Sequence, residues 1–474
     1  MPSPAETVRG PAFEAVAAQV ARARAAQAIA DGYDQARVDE LVAAAGWAIL
    51  EPARNRELAE LAVADTGIGS VDDKIRKNHR KTLGLLRDLA GMRTVGVIAE
   101  DAAKGLVEIA RPVGVVCAVT PSTNPAATPA NKIINALKAR NAVIVAPSPK
   151  GASTCARLIE FVHAQFDRIG APRDLVQMLP APVTKEATTE LMRQCDLVVA
   201  TGSQANVRAA YASGTPAFGV GAGNVASIVD ETADLEAAAA KIVLSKTFDH
   251  ATSCSSENSL VLVEAVADAM LATLARHGCV KLEAADRDRL QVAMWPDGKL
   301  SPAVIGQAAG RIAGRAGLAD PAAAAARVLL VDGGGVGPDH PFSGEKLSPV
   351  LAVYRVRDFE QAKQAVRALY AFQGAGHSVS LHSAREDRAL DLGLTLPVAR
   401  VILNQAHAIA NGGSFSNGLP VSLSMGCGTW GRNNFSDNLN VRQYMNVTRV
   451  SRPLPESIPA IDDLLGAYFS RWGR

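Results

Sequence analysis

One cysteine, Cys254, lies in the polar stretch KTFDHATSCSSEN, which covers residues 246–258. A thiol on such a turn, near backbone N–H groups, is favoured as a thiolate and can attack an electrophilic carbon. The alternative is a small buried filler, which is the usual role of a cysteine. The neighbouring hydroxyl, carboxyl and amide side chains offer no apolar wall, and the local sequence allows both interpretations.

Asn124, in the segment TPSTNP (residues 120–125), is a second candidate. Its amide can donate a hydrogen bond to the oxyanion that forms when a thiolate attacks a carbonyl. An Asn before Pro is also a common turn residue, so both roles stay open. His250, His377 and His382 lie in polar stretches near these segments, and spacing alone pairs none of them with Cys254.

The composition limits the classes of partner. With 49 basic and 47 acidic side chains among 474 residues, the net charge is +2, which provides no broad field for nucleic acid or an anionic membrane. The six cysteines are scattered without zinc-site spacing, which predicts reduced thiols and no metal site. The N-terminal residues contain no apolar run of signal-peptide length. We therefore expect a cytoplasmic protein that binds small molecules.

The elements that must position these residues alternate along the chain. Residues 10–65 have apolar residues at helical spacing. From residue 105 onward, Val- and Ile-rich runs alternate with amphipathic helices, which indicates parallel sheets covered on both faces. Ligands bind beyond the carboxyl ends of such strands. Three segments that follow predicted strands are therefore candidate ligand loops: TPSTNP (120–125), APSPKG (146–151) and ATGSQAN (200–206).

A second alternating region begins near residue 228, where we place a domain boundary. Two uncharged segments, 112–131 and 401–431, are too rich in Pro, Asn, Ser and Gly to span a bilayer. They are interpreted as walls of a site or as plain buried loops. Near the C-terminus, VRQYMNVTRVSRP indicates a strand that leaves the body of the protein.

Five segments, in order along most of the chain from about residue 100, together resemble the CoA-acylating branch of the aldehyde dehydrogenase superfamily. They are TPSTNPAATPANKIINALKARNAVIVAPSPKG, ATGSQANVRAAYASGTPAFGVGAGNV, FDHATSCSSEN, EKLSPVLAVYRV and NGGSFSNGLPVSLSMGCGTWGRNNFSDNLNVRQYMN. Within this branch, KTFDHATSCSSENS and CGTWGRNNFSDNLN are most similar to enzymes that act on sulfoacetaldehyde.

The resemblance implies an α/β fold of three parts. Residues 1–228 would form a Rossmann-type cofactor-binding domain, residues 229–428 an α/β catalytic domain with the thiol, and residues 429–474 a C-terminal return segment with an oligomerisation strand. A small β arm would combine the segment around 95–112 with the strand around 440–452. The resemblance further implies a homodimer or homotetramer.

Carried onto this chain, the resemblance makes Cys254 the nucleophile and places Asn124, with the backbone N–H of Cys254, in an oxyanion hole. Glu345 would hydrogen-bond the nicotinamide ribose, although it could also be a surface residue in a turn. Ten further residues would contact the cofactor: Thr120, Pro121, Ser122, Ser148, Lys150, Thr201, Gly202, Ser203, Gly219 and Gly221.

The resemblance also predicts the fate of the acyl group. Hydrolytic members of the superfamily carry a Glu that activates water, and its position falls on Gly219 here. Without this base, water attacks the thioester slowly and the thiol of coenzyme A takes the acyl group. We therefore expect an acylating oxidoreductase for sulfoacetaldehyde, or for another short aldehyde such as acetaldehyde, propionaldehyde or succinate semialdehyde. A non-catalytic scaffold with this fold is the alternative from a different class.

The loop APSPKG favours NADP over NAD, with NAD also possible. NAD-preferring relatives often carry an acidic side chain where Pro149 stands, whereas Ser148 and Lys150 could donate to a 2′-phosphate. Lys150 could equally be a solvated residue at the start of a helix. The segment TGSQ (201–204) opens a predicted helix and would direct backbone N–H groups to the pyrophosphate.

A sulfonate substrate requires fixed donors, because an unpaired buried anion is costly. Arg432, with Asn434 close by in WGRNN, is the predicted substrate-binding residue. Its alternative is a contact with a phosphate of coenzyme A or with a neighbouring subunit.

Overall fold

A computed structural model describes residues 10–220, 223–318 and 320–474 of the chain. Its strands form sheets of five, seven and three members. All strand pairs in the two larger sheets are parallel, as the sequence predicts, and the three-stranded sheet is antiparallel.

The strands of the described residues are numbered in chain order. They are β1 (Gly96–Asp101), β2 (Leu106–Pro112), β3 (Val115–Thr120), β4 (Ala142–Pro147), β5 (Val176–Met178), β6 (Leu197–Thr201), β7 (Ala217–Val220), β8 (Val225–Val229), β9 (Glu257–Val263), β10 (Cys279–Lys281), β11 (Val328–Asp332), β12 (Val350–Val356), β13 (Val379–His382), β14 (Val401–Leu403) and β15 (Met445–Ser451).

The helices of the described residues are numbered in the same way. They are α1 (Pro11–Asp31), α2 (Gln35–Leu50), α3 (Pro52–Thr66), α4 (Val71–Leu89), α5 (Ala127–Lys138), α6 (Ala152–Ile169), α7 (Lys185–Gln194), α8 (Gln204–Tyr211), α9 (Leu235–Thr247), α10 (Glu264–Arg276), α11 (Ala284–Met294), α12 (Ala309–Arg315), α13 (Pro321–Ala325), α14 (Phe359–Phe372), α15 (Glu386–Thr395), α16 (His407–Ala410) and α17 (Ile461–Trp472).

The five-stranded sheet has the order β5-β4-β3-β6-β7. Its central strands β3 and β4 are apolar and buried along their whole length, because helices cover both faces. Thr120 at the end of β3 pairs with Pro147 of β4, and Val119 pairs with Ala200 of β6. The three predicted ligand loops therefore emerge side by side at the carboxyl edge of this sheet.

The seven-stranded sheet has the order β10-β11-β12-β9-β8-β13-β14. Alternate residues of its strands point to two separate apolar clusters, as the two-residue period of a strand requires. In β11, Leu329 and Val331 join one cluster, whereas Val328 and Leu330 join the other. The strand β9, which follows Cys254 in the chain, lies at the centre of this sheet and anchors the turn that carries the thiol.

The helix α4 presents a polar face to the protein interior. Ser70 caps its first turn by accepting a hydrogen bond from the N–H of Asp73. Lys74, Lys77 and Asn78 are buried on its inner side. Since buried lysines need partners, this face must meet acceptor groups from elsewhere in the chain.

The three-stranded sheet combines β1, β2 and β15, with β2 in the centre. Thr448 of β15 pairs with Ile109 of β2, so the chain returns to this sheet after more than 300 residues, as the resemblance implies. Most residues of β15 are exposed, and so is the helix α17 that follows it. The role of this arm in oligomerisation stays a prediction.

The predicted domain boundary at residue 228 falls inside β8, a strand of the seven-stranded sheet, whereas the five-stranded sheet lies within residues 115–220. The division of the chain into domains stays a prediction. Among the described residues, no helix has both the length and the apolar character needed to cross a membrane.

Candidate active site

The thiol of Cys254 lies in a turn between α9 and β9. The preceding residues Asp249, His250 and Ala251 all have positive φ angles, of 50°, 50° and 59°. Each such angle costs about 1 kcal/mol or more for a residue other than glycine. The turn closes with a hydrogen bond of 2.9 Å from the N–H of Ser256 to the carbonyl of Ser253. The backbone N–H of Cys254 makes no hydrogen bond to any residue that the structure describes, so it is free to donate to a ligand.

Asp249 holds this strained turn in place. Its buried carboxylate accepts hydrogen bonds from the N–H of Ser70 at 3.0 Å, from Lys74 Nζ at 3.2 Å and from Lys77 Nζ at 2.5 Å. Burial opposes its charge, but the two lysines and these hydrogen bonds keep the pKa of Asp249 below its ordinary value. The carboxylate thereby connects the start of α4 to the turn that carries Cys254.

A cavity of about 390 Å³, here called the large cavity, opens beside Cys254. It lies at the carboxyl edge of the five-stranded sheet, where α/β sheets bind ligands. Nine of the residues predicted from the sequence line it: Pro121, Ser122, Asn124, Lys150, Thr201, Gly202, Ser203, Cys254 and Glu345. Its volume, its hydroxyl groups and the start of α8 after Ser203 fit a nicotinamide dinucleotide.

A second cavity of about 70 Å³, here called the small cavity, adjoins the large one. Asn124, Ser253, Leu423 and Met425 line both cavities. Ser253 and Ser255, the neighbours of Cys254 in the chain, both contribute to the small cavity. The thiol therefore lies where a space for a cofactor meets a space for a small molecule.

His377 is the partner of the thiol. Its Nε2 lies 3.3 Å from Cys254 Sγ, and its Nδ1 lies 2.8 Å from the hydroxyl of Ser378. Burial and the neighbouring Arg400 lower the pKa of His377 well below its ordinary value, so the imidazole is neutral. Burial, with the nearby carboxyl of Glu345, raises the pKa of Cys254 to about 12. The resting site therefore holds a protonated thiol beside a neutral base, and the sequence-based expectation of a favoured thiolate is wrong.

Lys77 fixes the orientation of Asn124. Lys77 Nζ donates to Asn124 Oδ1 over 2.8 Å. Since an ammonium group can only donate, the oxygen of the amide must face Lys77 and the NH₂ group must face away from it. The amide is thus oriented as a donor, which is the property that an oxyanion hole requires.

Glu345 also lies in the large cavity, and its Oε1 accepts a hydrogen bond of 3.1 Å from the N–H of Gly223. Burial raises the pKa of Glu345 to about 8, although the cations Lys246 and Lys346 oppose this shift. Gly223 packs so tightly that a Cβ atom there would lie 2.3 Å from the carbonyl oxygen of Cys254. A residue larger than glycine would displace the turn that carries the thiol.

Five of the predicted residues that the structure describes do not line either cavity. Thr120 is buried at the end of β3, and its carbonyl accepts a hydrogen bond of 3.0 Å from the N–H of Ser148. Gly219 lies in β7, where a Cβ atom would meet Val207 Cγ1 at 2.7 Å instead of facing Cys254. Gly221 lies outside the described residues.

The predicted substrate-binding residues Arg432 and Asn434 also lie elsewhere. Arg432 is exposed and lines neither cavity. Asn434 Nδ2 donates to the carbonyl of Ala217 at 2.9 Å, and its Oδ1 accepts from the hydroxyl of Tyr211 at 3.2 Å. Asn434 therefore ties its loop to the end of the five-stranded sheet instead of facing the thiol.

Sequence reasoning missed the supporting groups of the site. His377 was one of three histidines without an assigned role, and it lies 123 positions from Cys254 along the chain. Lys77 and its partner Asp249 are 172 positions apart. No local signal links such residues, although the polar inner face of an otherwise amphipathic α4 marks the helix as unusual.

Comparisons with known proteins agree with this geometry. A model of the aldehyde dehydrogenase family matches residues 5–294. Sulfoacetaldehyde dehydrogenase (acylating) from Cupriavidus necator is 68% identical over 98% of this chain and 94% of its own. The protein of that name from Bilophila wadsworthia is 41% identical over 98% of this chain and 100% of its own. An acetylating aldehyde dehydrogenase structure from Geobacillus thermoglucosidasius covers 96% of this chain and 100% of its own, with a TM-score of 0.91 and 34% identity.

The chain therefore belongs to the aldehyde dehydrogenase family. Its near full-length relatives at 34–68% identity are acylating members, which assigns it to the acylating branch of that family. The predicted family, fold class and enzymatic nature of the protein are confirmed.

Proposed function

We propose that the protein oxidises sulfoacetaldehyde in the presence of coenzyme A to sulfoacetyl-CoA, with NADP as the preferred nicotinamide cofactor. The observation that carries this proposal is the thiol of Cys254, paired with His377 where the large and small cavities meet. The 68% identity to the Cupriavidus necator enzyme supports the choice of aldehyde.

The reaction begins with attack of Cys254 Sγ on the aldehyde carbon. His377 Nε2 takes the thiol proton, since the imidazole is neutral and within 3.3 Å. Asn124 Nδ2 and the N–H of Cys254 donate to the oxyanion of the thiohemiacetal. Residues of the large cavity, among them Ser203 and Glu345, would hold a nicotinamide dinucleotide, which when bound would supply the acceptor for the hydride of this carbon. A thioester then remains on Cys254, and His377 releases its proton to solvent.

The second half of the reaction uses the thiol of coenzyme A. His377 takes the proton of that thiol as its sulfur attacks the thioester, and the tetrahedral species collapses with loss of Cys254 as a thiolate. The proton on His377 then returns to Cys254. The complete cycle returns Cys254 and His377 to their starting protonation states, ready for a second turnover.

The large cavity disfavours water as the acceptor of the acyl group. Glu345 is the one carboxyl group that lines it among the described residues. Burial raises the pKa of Glu345 to about 8, and its Oε1 already accepts a hydrogen bond of 3.1 Å from the N–H of Gly223. The proposal that coenzyme A takes the acyl group rests on the glycine at position 219, where hydrolytic members carry the Glu that activates water, and on the acylating relatives.

The preference for NADP rests on the start of α6. Lys150 lines the large cavity with an exposed side chain, and Pro149 provides no carboxylate to repel a 2′-phosphate. Ser148, one residue earlier, is half-buried and can turn its hydroxyl toward the same group.

We also propose a homo-oligomer in a reducing compartment, the cytoplasm. The edge strand β15 leaves one side unpaired, and such edges readily pair with another chain. All six cysteines are free thiols, which favours a compartment that keeps them reduced.

The proposed function is tested by a spectrophotometric assay of the purified protein. Sulfoacetaldehyde, acetaldehyde, propionaldehyde and succinate semialdehyde are each supplied with NADP or NAD, with and without coenzyme A. We expect the highest kcat/KM for sulfoacetaldehyde with NADP, an absolute need for coenzyme A, and sulfoacetyl-CoA as the product by mass spectrometry. Equal turnover to the free acid without coenzyme A, or no turnover of sulfoacetaldehyde, would refute the proposal.

A further inference from the structure

Three cations of α4 reach the small cavity. Lys77, Arg80 and Lys81 follow the i, i+3, i+4 spacing that places side chains on one face of a helix. Among the described residues that line this cavity, none carries a carboxyl group. The lining of the cavity therefore contains basic side chains and no acidic one.

The hydrogen bonds of Lys77 separate its role from that of its neighbours. Its ammonium group has three N–H donors, and it has three acceptors: Asn124 Oδ1 at 2.8 Å, Asp249 Oδ2 at 2.5 Å and Thr252 Oγ1 at 3.2 Å. No donor is left for a ligand. Lys77 is consequently a positioning residue for Asn124.

Lys81 has one N–H donor that its hydrogen bonds do not use. Its Nζ donates to the carbonyls of Gly412 at 2.7 Å and Gly413 at 2.9 Å, which leaves one N–H unused. Lys81 forms no ion pair with any residue that the structure describes. Burial, together with the cations Lys77 and Arg80, lowers the pKa of Lys81 to about 7, and an anion bound beside it would relieve this repulsion.

Arg80 makes fewer interactions than Lys81. Its guanidinium carbon lies 5.2 Å from the ring centre of Phe415, within the range of a cation–π contact, and Arg87 lies at the same distance from this ring. Arg80 makes no hydrogen bond or ion pair within the described part of the chain. Its guanidinium group has five N–H donors available for a ligand.

We infer that Lys81 and Arg80 bind the sulfonate of the substrate, while its aldehyde carbon reaches Cys254. This inference rests on the proposed function. A sulfonate has three acceptor oxygens, which match one N–H of Lys81 and the planar edge of Arg80. About 10–15 Å³ suffices for one water, so a cavity of about 70 Å³ suits a molecule with only a few heavy atoms.

The assignment replaces the predicted role of Arg432. Arg432 lines neither cavity, whereas Arg80, which is also exposed, and Lys81 line the small cavity together with both neighbours of Cys254. A charge that selects for sulfonate must also be close enough to the thiol to orient a two-carbon aldehyde.

The test compares Arg80→Met and Lys81→Met with the matched control Arg76→Met, which removes an exposed cation from the same helix. Each variant is assayed with sulfoacetaldehyde and with the uncharged propionaldehyde. We expect kcat/KM for sulfoacetaldehyde to fall about 10- to 100-fold in both cavity variants, as for loss of a hydrogen bond between charged groups. The value for propionaldehyde should change less than about twofold, and Arg76→Met should match the wild type.

A binding measurement separates recognition from chemistry. Ethanesulfonate, which cannot react, should bind the wild type by calorimetry and compete with the aldehyde, and its affinity should fall by a similar factor in Arg80→Met. Because Lys81 also holds the loop at Gly412, Lys81→Arg serves as a second variant that keeps the charge and should retain binding.

Two failures remain distinguishable. If the wild type oxidises propionaldehyde but not sulfoacetaldehyde, the proposed function is wrong. Suppose instead that the wild type prefers sulfoacetaldehyde, and that Arg80→Met and Lys81→Met lower kcat/KM equally for both aldehydes or leave both values unchanged. Only the inference about the sulfonate is then overturned. If only Arg432→Ala lowered kcat/KM for sulfoacetaldehyde selectively, the sequence-based assignment of Arg432 as the sulfonate-binding residue would be restored.

Discussion

At the scale of single residues, the buried thiol of Cys254 and the imidazole of His377 lie 3.3 Å apart and are both neutral. Asn124 and Glu345 line the large cavity with Cys254. The local sequence singled out Cys254 and Asn124, and the resemblance implied Glu345. The protonation states could not be predicted, because they depend on burial and on charges contributed by distant segments. His377 shows the same limit, since its role follows from a contact with a residue 123 positions away.

The neutral pair of Cys254 and His377 predicts a pH profile. With saturating propionaldehyde, which has no charge for Lys81 to bind, single-turnover formation of the reduced cofactor should stay nearly flat between about pH 6 and 9, because neither partner of the pair ionises there. A shallow change near pH 8, far below tenfold per pH unit, would reflect the ionisation of Glu345. In His377→Gln, attack requires a free thiolate with a pKa near 12. The rate should then fall about 100-fold or more at pH 7 and rise about tenfold with each pH unit.

The matched control is His79→Gln, which changes an exposed histidine on α4 and should keep the flat profile of the wild type. Stopped-flow absorbance of the reduced cofactor gives these rates directly. A His377→Gln variant with a flat profile and the full rate would show that the imidazole is not the base.

At the scale of elements, the sequence of the C-terminal arm predicted its strand, whereas the sequence of α4 did not predict which of its side chains are buried. The charged run of α4 resembles a solvated face, yet its lysines are buried against Asp249 from the turn before Cys254. The strand β15 was predicted from the segment VRQYMNVTRVSRP, and its partner β2 was implied by the resemblance. The helix α17 carries an apolar stripe of exposed residues: Ile461, Leu464, Leu465, Tyr468 and Trp472.

This stripe predicts that α17 packs on a second copy of the chain, next to the unpaired edge of β15. A double variant, Leu464→Glu with Tyr468→Glu, places two charges on side chains that are 69% and 59% exposed in the single chain. We expect it to lower the mass of the assembly measured by light scattering during size-exclusion chromatography. The control Ser470→Glu, on the opposite face of the helix, should leave the mass unchanged, and an unchanged mass in the double variant would argue against this packing.

At the scale of the whole molecule, the two parallel sheets together create the site. The five-stranded sheet contributes the loops of the large cavity, and a strand of the seven-stranded sheet anchors the thiol. Periodicity predicted strands and helices well, because continuous apolar runs and amphipathic helices each have a clear pattern. It could not predict the strand order β10-β11-β12-β9-β8-β13-β14, which depends on how distant segments pack.

The account depends on an acyl group that stays on Cys254 until coenzyme A arrives. The most direct measurement is the intact mass of the protein after one turnover of sulfoacetaldehyde with NADP and no coenzyme A, followed by peptide mapping. We predict a sulfoacetyl adduct on Cys254 that is lost within seconds of adding coenzyme A, with sulfoacetyl-CoA appearing in equal amount, and no adduct in Cys254→Ser. An adduct on another cysteine, or free sulfoacetate released at the same rate without coenzyme A, would contradict the account.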